Sequence, residues 1–189
     1  MSTQLEIANA SLVLVGALPL TAYSGTKKSY VTVNALWNIT RDACLRMHPW
    51  NFAIAREELD DSGETPAYDW DYAYDLPEDC VRVLGTEHDE YTDIKWKVEG
   101  KQIVTNETSM IIKYVSNAKA IADWDTLFVN YFVAALAEAI AYPLVQSRSI
   151  METMRDLATK RLREAKGVDA QEGTTDEMYA DKLLDARIV

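Results

Sequence analysis

The sequence predicts an α+β protein: a four-helix bundle with a small antiparallel β insertion between helices 2 and 3, followed by a C-terminal arm. Three observations carry that prediction. Apolar residues recur at helical spacing in residues 1–50 and again in 119–167, where the stretch Leu127–Val145 is apolar on every side of a helical wheel. In residues 51–118 the apolar period falls to two, as in half-buried strands. In residues 168–189 a polar run, QEGTTDE, is followed by a return of Met178, Tyr179, Leu183, Leu184 and Ile188. A chain of 189 residues can bury one core with a small subdomain beside it.

The first helix opens on a capping box, Thr3 with Glu6, and places Leu5, Ala8, Leu12 and Val15 on one stripe before Gly16 and Pro19 stop it. Residues 18–28 read as a loop. The second helix is expected over Ser29–His48, with Val33, Leu36, Trp37, Thr40, Cys44 and Met47 on its apolar side and Pro49 ending it. Phe52 and Ile54 then alternate out of the turn. Trp70, Tyr72 and Tyr74 take one face of a strand whose other face carries Asp69, Asp71 and Asp75. Ile94, Trp96 and Val98 form another strand, which Glu99-Gly100 turns into Gln102–Thr105; Met110–Val115 supplies the next.

Asp123 or Asp125 can cap the third helix, and Pro143 is expected to kink or end it near Tyr142. Ser149 and Glu152 read as a second capping box, and Gly167 as the end of the last helix. The third helix is just long enough to cross a bilayer, but it is Ala-rich, lacks basic anchors and carries Glu138 mid-span, which costs about 3 kcal/mol or more in lipid. It therefore reads as a core helix. Glu138 must be paired, protonated or placed at an interface, and Arg148 or the basic last helix is the expected partner.

The chain has 30 acids and 19 bases, and the excess is concentrated: residues 57–93 hold fourteen acids and one base, Arg82. Such a surface repels nucleic acid, so a sequence-reading DNA or RNA binder is disfavoured. Two cysteines, Cys44 and Cys80, make no disulfide framework, and the N-terminal residues show no secretory signal, so a cytoplasmic protein with buried thiols is expected. His48 and His88 are the only histidines; no zinc pattern, glycine-rich phosphate loop or nucleophile elbow is present. His48 is expected to cap helix carbonyls. Asp69, Asp71 and Asp75 form a candidate cation face, although the glycine and bidentate Glu of a calcium loop are missing, and a solvated acidic face is the plainer reading.

Several motifs in order carry a resemblance: ACLRMHPWNFA after an amphipathic helix, YAYDLPEDCVRVL, VEGKQIVTNE, IIKYV, LFVNYFVAALAEAIAYPL and EAKGVDAQEG. Together they resemble the tail tubular protein A family, the head-to-tail adaptor of tailed bacteriophages, over residues 4–173. The resemblance implies a non-enzymatic virion protein of the neck and tail, assembled in the host bacterial cytoplasm and using no cofactor. It implies a ring of usually twelve copies between the portal protein and a tail nozzle protein resembling tail tubular protein B, with genomic DNA passing through without specific binding and no membrane involved. On that reading the arm residues Met178, Tyr179, Leu183, Leu184 and Ile188 reach to the portal, and Glu138 with Arg148 lies at a subunit interface or in a core pair. A rival reading is a phage tail hydrolase of cell wall or polysaccharide that uses two carboxylates from residues 57–93.

Overall fold

The computed structural model describes residues 2–86 and 94–172. Its helices are α1 (Gln4–Leu14), α2 (Lys28–Arg46), α3 (Thr126–Val145) and α4 (Arg148–Asp169). Among the described residues six strands lie between α2 and α3: β1 (Ile54–Glu58), β2 (Tyr72–Asp75), β3 (Cys80–Thr86), β4 (Trp96–Glu99), β5 (Gln102–Thr105) and β6 (Ile111–Ser116). They form two antiparallel three-stranded sheets, ordered β1-β6-β3 and β2-β5-β4. The fold is mixed α+β, but it is not a four-helix bundle with one small insertion.

Packing explains the correction. The main helix contacts all run through α3, which meets α1, α2 and α4, so the helices surround one post instead of closing a square. Part of the remaining wall is a sheet. Val115 of β6 and Ala53 are buried in the same core as Phe128, Phe132 and Ile140 of α3, and Val81 and Leu84 of β3 pack against it. The neighbouring residues Ile112 and Tyr114 of β6 point the other way, into a second core with Leu59, Tyr74, Ile103 and Met110. The β1-β6-β3 sheet is thus a middle layer, with helices on one face and the β2-β5-β4 sheet on the other.

Local chemistry sets most of the element ends. Thr3 accepts from the Glu6 amide at 3.3 Å while Glu6 accepts from the Thr3 amide at 2.7 Å, which completes the capping box of α1. Gly16 (φ 75) lets the chain leave α1 through a left-handed turn. The side chain of Asn9 then exchanges two hydrogen bonds with the backbone of Leu20, 2.7 and 2.9 Å, and fixes the loop. Asp125, not Asp123, caps α3, accepting from the amides of Leu127 and Phe128 at 2.8 and 3.0 Å. Gly100 (φ 63) makes the β4-β5 hairpin turn, with Glu99 opposite Gln102.

Other expected boundaries move. The second helix ends at Arg46, because His48 and Pro49 turn the chain into a short 3-10 segment, Asn51–Ala53. α3 runs past Pro143 to Val145: the lost donor falls in the last turn, and Gln146 ends the helix with φ 55. The cap of α4 is Ser147, which accepts from the Ile150 amide, and Ser149 lies inside the helix. Gly167 is interior to α4, which continues to Asp169. There the carboxylate accepts from the Asn51 amide at 3.1 Å and lies 3.0 Å from His48 Nε2. The Asn51 side chain also donates to the Asp169 carbonyl at 2.7 Å. That clamp outweighs the cost of about 1 kcal/mol for a helical glycine. His48 therefore bonds a carboxylate on α4 and not the carbonyls of its own helix.

Strand β3 is absent from the sequence reading. Its register against β6 breaks between Cys80 and Arg82 and again between Val83 and Gly85, so its apolar residues do not alternate cleanly.

The core is aromatic. Trp50 is fully buried, donates from Nε1 to the Cys44 carbonyl at 3.1 Å and meets Phe128 edge-on at 5.0 Å. Trp37, Trp124 and Phe132 extend the cluster, with Trp37 and Phe132 5.0 Å apart. α3 is the one described helix long and apolar enough to cross a membrane. Most of its apolar residues pack against α1, α2, α4 and Val115, while Tyr142 and Val145 near its end stay exposed.

Candidate functional site

The antiparallel α3-α4 hairpin turns at Gln146 and Ser147, so residues equally far from the turn face one another. Glu138 accordingly meets Arg155, Nε to Oε1 at 2.8 Å. Arg148 is too close to the turn, opposite the last residues of α3, and has no carboxylate partner among the described residues. The Arg155 side chain is 59% exposed, so solvent screens the pair and it adds little to stability.

Around Glu138 the surface is an apolar groove between α2, α3 and α4. Ile39, Met47, Cys44, Ala135, Ala139 and Met151 line it, and Ile39 and Met47 are 69% and 53% exposed. A second groove runs between α1 and α3, lined by Ala10, Val13, Val129, Val133 and Arg161, with Val13 60% exposed. At about 100° per residue, Ala135, Glu138 and Ala139 fall on one side of α3, and Val129, Asn130 and Val133 on the opposite side. The central helix thus borders two different surfaces, one on each flank: the first is apolar, and the second also carries Ser2, Glu6, Asn9 and Asn130. The sequence places Met47 on the apolar side of the second helix and does not single out Ile39; the structure exposes both, and only the packing of α3 shows that the surfaces are opposed.

The carboxylates of the β region are placed one by one. Asp69 is in the left-handed region (φ 69), outside the strand, so Asp69, Asp71 and Asp75 do not share a strand face. Asp75 accepts from the Gln102 side chain at 3.0 Å, and the Asp71 amide donates to Asn106. No group of three or more His, Cys, Asp or Glu suited to a metal occurs among the described residues. The acids that do converge are Glu57 and Asp79. The Tyr114 hydroxyl lies 2.9 Å from Glu57 and 3.3 Å from Asp79, and Ser116 donates to Asp79. Burial first, then the two carboxylates, push the Tyr114 phenol well above its ordinary value, so it stays a proton donor between them. This arrangement ties β1, β6 and the start of β3 together and uses the oxygens that a hydrolytic pair would need free.

Both sheets end in edge strands, β3 and β4, and a cleft of about 460 Å³ lies between them. Its walls are Leu76, Pro77, Val81, Val83, Trp96 and Val98. Three bases, Arg46, Arg82 and Lys101, also line it, against one acid, Glu78. Arg46 donates to the Val81 carbonyl at 2.6 Å, which covers an edge acceptor. None of the three bases is in an ion pair among the described residues. Arg82, the lone base among fourteen acids, is the sequence signal for this cleft.

Both thiols are held protonated. Burial is the main cause: it raises Cys44 to about 12, opposed by a hydrogen bond from Tyr131 and reinforced by Glu138, and it raises Cys80 to about 11. Because the folded values exceed the ordinary 9.0, stability from these groups is full below pH 9 and is lost as pH climbs towards 11 and 12. Denaturation midpoints measured from pH 8 to 11 are expected to fall progressively, and a thiol reagent at pH 7.5 is expected to label the native protein far more slowly than the denatured chain. Rapid labelling of both cysteines in the native state would contradict this.

The arm residues Met178, Tyr179, Leu183, Leu184 and Ile188, and His88, lie outside the described residues. Compared with known proteins, the chain matches no family model and no curated protein.

Proposed function

We propose that the protein is a structural adaptor that assembles into a ring, in the manner of the tail tubular protein A family that its motif order resembles. On this reading the ring, of about twelve copies, joins portal to tail nozzle and acts by shape and contact, without turnover. The observation that carries the proposal is the pair of unlike grooves, one apolar and one mixed, on opposite flanks of α3. A head-to-tail contact needs two different patches on each copy, and a ring follows when the rotation closes. A second copy is the occupant that suits both flanks, since filling both at once buries Ile39 and Met47 on one side and Val13 on the other.

The concentration of acid in residues 57–93 is compatible with a conduit for DNA, whose wall must not hold phosphate. The portal contact is assigned to Met178, Tyr179, Leu183, Leu184 and Ile188, and the host cytoplasm and virion neck are the corresponding locations.

Glu138, at the rim of the first groove, gives the test. Glu138→Gln is expected to change the unfolding free energy of the subunit by less than about 1 kcal/mol. Negative-stain imaging of the purified protein, alone and with portal, is expected to show rings for the wild type and fewer for Glu138→Leu. Wild-type protein that stays monomeric, ignores portal and clears a peptidoglycan suspension would replace the adaptor with the hydrolase.

A further inference from the structure

The cationic cleft has a complementary feature on its own chain. The loop before β2 carries Tyr68, 77% exposed, with the exposed acids Glu64, Asp69 and Asp71 around it. It is an aromatic tip bracketed by carboxylates. The cleft between β3 and β4 has the opposite character: apolar walls of Leu76, Val81, Val83 and Trp96, with Arg46, Arg82 and Lys101 among its lining residues.

Strand parity keeps the two apart within one molecule. Tyr68 and Asp69 lie beside Lys97, and Lys97 and Glu99 line the hollow under the loop, whereas Trp96 and Val98 line the cleft. Successive side chains of β4 point to opposite faces, so the loop sits on one face of the β2-β5-β4 sheet and the cleft opens on the other.

We infer that the cleft between β3 and β4 is the docking site for the Tyr68 loop of a neighbouring copy, with Tyr68 entering between the apolar walls and Glu64, Asp69 and Asp71 meeting Arg46, Arg82 and Lys101. This deepens the ring reading and rests on it for the closure of the contact into a ring. Charge complementarity selects the partner: the bases of the cleft have no ion-pair partners among the described residues, while the loop belongs to the strongly acidic stretch of the same sequence. An aromatic anchor desolvated beside charge pairs is also the usual composition of a binding hot spot.

Two exposed-residue variants of the full chain test it. Arg82→Glu with Lys101→Glu disables the cleft and keeps the loop; Tyr68→Ala with Asp71→Lys disables the loop and keeps the cleft. By sedimentation velocity each is expected to self-associate at least about tenfold more weakly than wild type, with wild-type association weakening as salt rises. Mixed in equal amounts, the two are expected to recover one loop-cleft contact per pair, so that dimers predominate while the α3 grooves alone add further copies at least about tenfold more weakly. Circular dichroism and thermal melting report whether each variant folds; should either melt early, Lys101→Gln and Tyr68→Ser are the milder pair.

Rings that form equally well from folded variants would overturn the docking site and leave the ring reading standing. Salt-sensitive wild-type chains that never close, but still yield the capped dimer, would support the docking site and refute the ring. Failure of every wild-type preparation to associate would refute both. Binding of a short DNA duplex, lost in Arg82→Glu with Lys101→Glu, would reassign the cleft to phosphate and overturn the proposal.

Discussion

Replacing Trp50 with alanine is expected to cost about 3–5 kcal/mol of folding stability. The indole is fully buried and stands where three parts of the chain converge. It meets His48 at 4.9 Å, Phe128 at 5.0 Å and Tyr131 at 6.1 Å, so its loss opens a cavity lined by rings too stiff to collapse into it. It also removes one of two donors to the Cys44 carbonyl, the indole N–H at 3.1 Å, and leaves the Met47 amide at 3.3 Å. Trp50→Phe keeps most of the volume and loses the donor, so it separates the packing from the hydrogen bond. Urea unfolding curves are the measurement, and a midpoint for Trp50→Ala within error of wild type would mean that the pocket repacks.

Asp169→Ala is expected to be the next most damaging change, at about 2–3 kcal/mol. The carboxylate is buried, accepts the Asn51 amide and lies against His48, so alanine removes the partner of both at once. Asp169→Asn keeps an acceptor for Asn51 and a polar group beside His48 Nε2, and is expected to recover most of the loss. Hydrogen exchange adds a local readout: amides in the last turn of α4 should lose protection in Asp169→Ala while the middle of α3 keeps it. Equal loss in both would make the clamp a global strut and not the fastening of one helix end.

Signals local in sequence were readable without coordinates. The Thr3-Glu6 box, the Glu99-Gly100 turn and the unbroken apolarity around Phe132 each depend on residues a few positions apart, where periodicity and turn chemistry operate. What escaped depends on distant residues. Gly167 stops a helix by propensity, but Asn51 and His48, over a hundred residues away, hold its end in place. Ser149 with Glu152 fits the capping pattern, but the left-handed Gln146 starts the helix earlier and Ser147 caps it. β3 was hidden because its two register breaks spoil the alternation by which strands are recognised.

The candidate surfaces divide the same way. Glu138 stood out as a carboxylate in an apolar run, and counting from the α3-α4 turn would have led to Arg155. The cleft joins Arg46 on α2 to Lys101 beyond the β4-β5 turn, and no reading of either segment alone would have united them.

β6 lends Val115 to the helical core and Ile112 with Tyr114 to the core between the sheets. A single strand is therefore the party wall of two hydrophobic compartments. Neither compartment can melt while its neighbour stays intact, because the strand that would have to leave one is still bolted by its ladder and side chains into the other. A subunit so built is expected to give up both cores together, and strain applied to its outermost sheet reaches the helices through the side chains that β6 packs into both cores instead of through a flexible hinge.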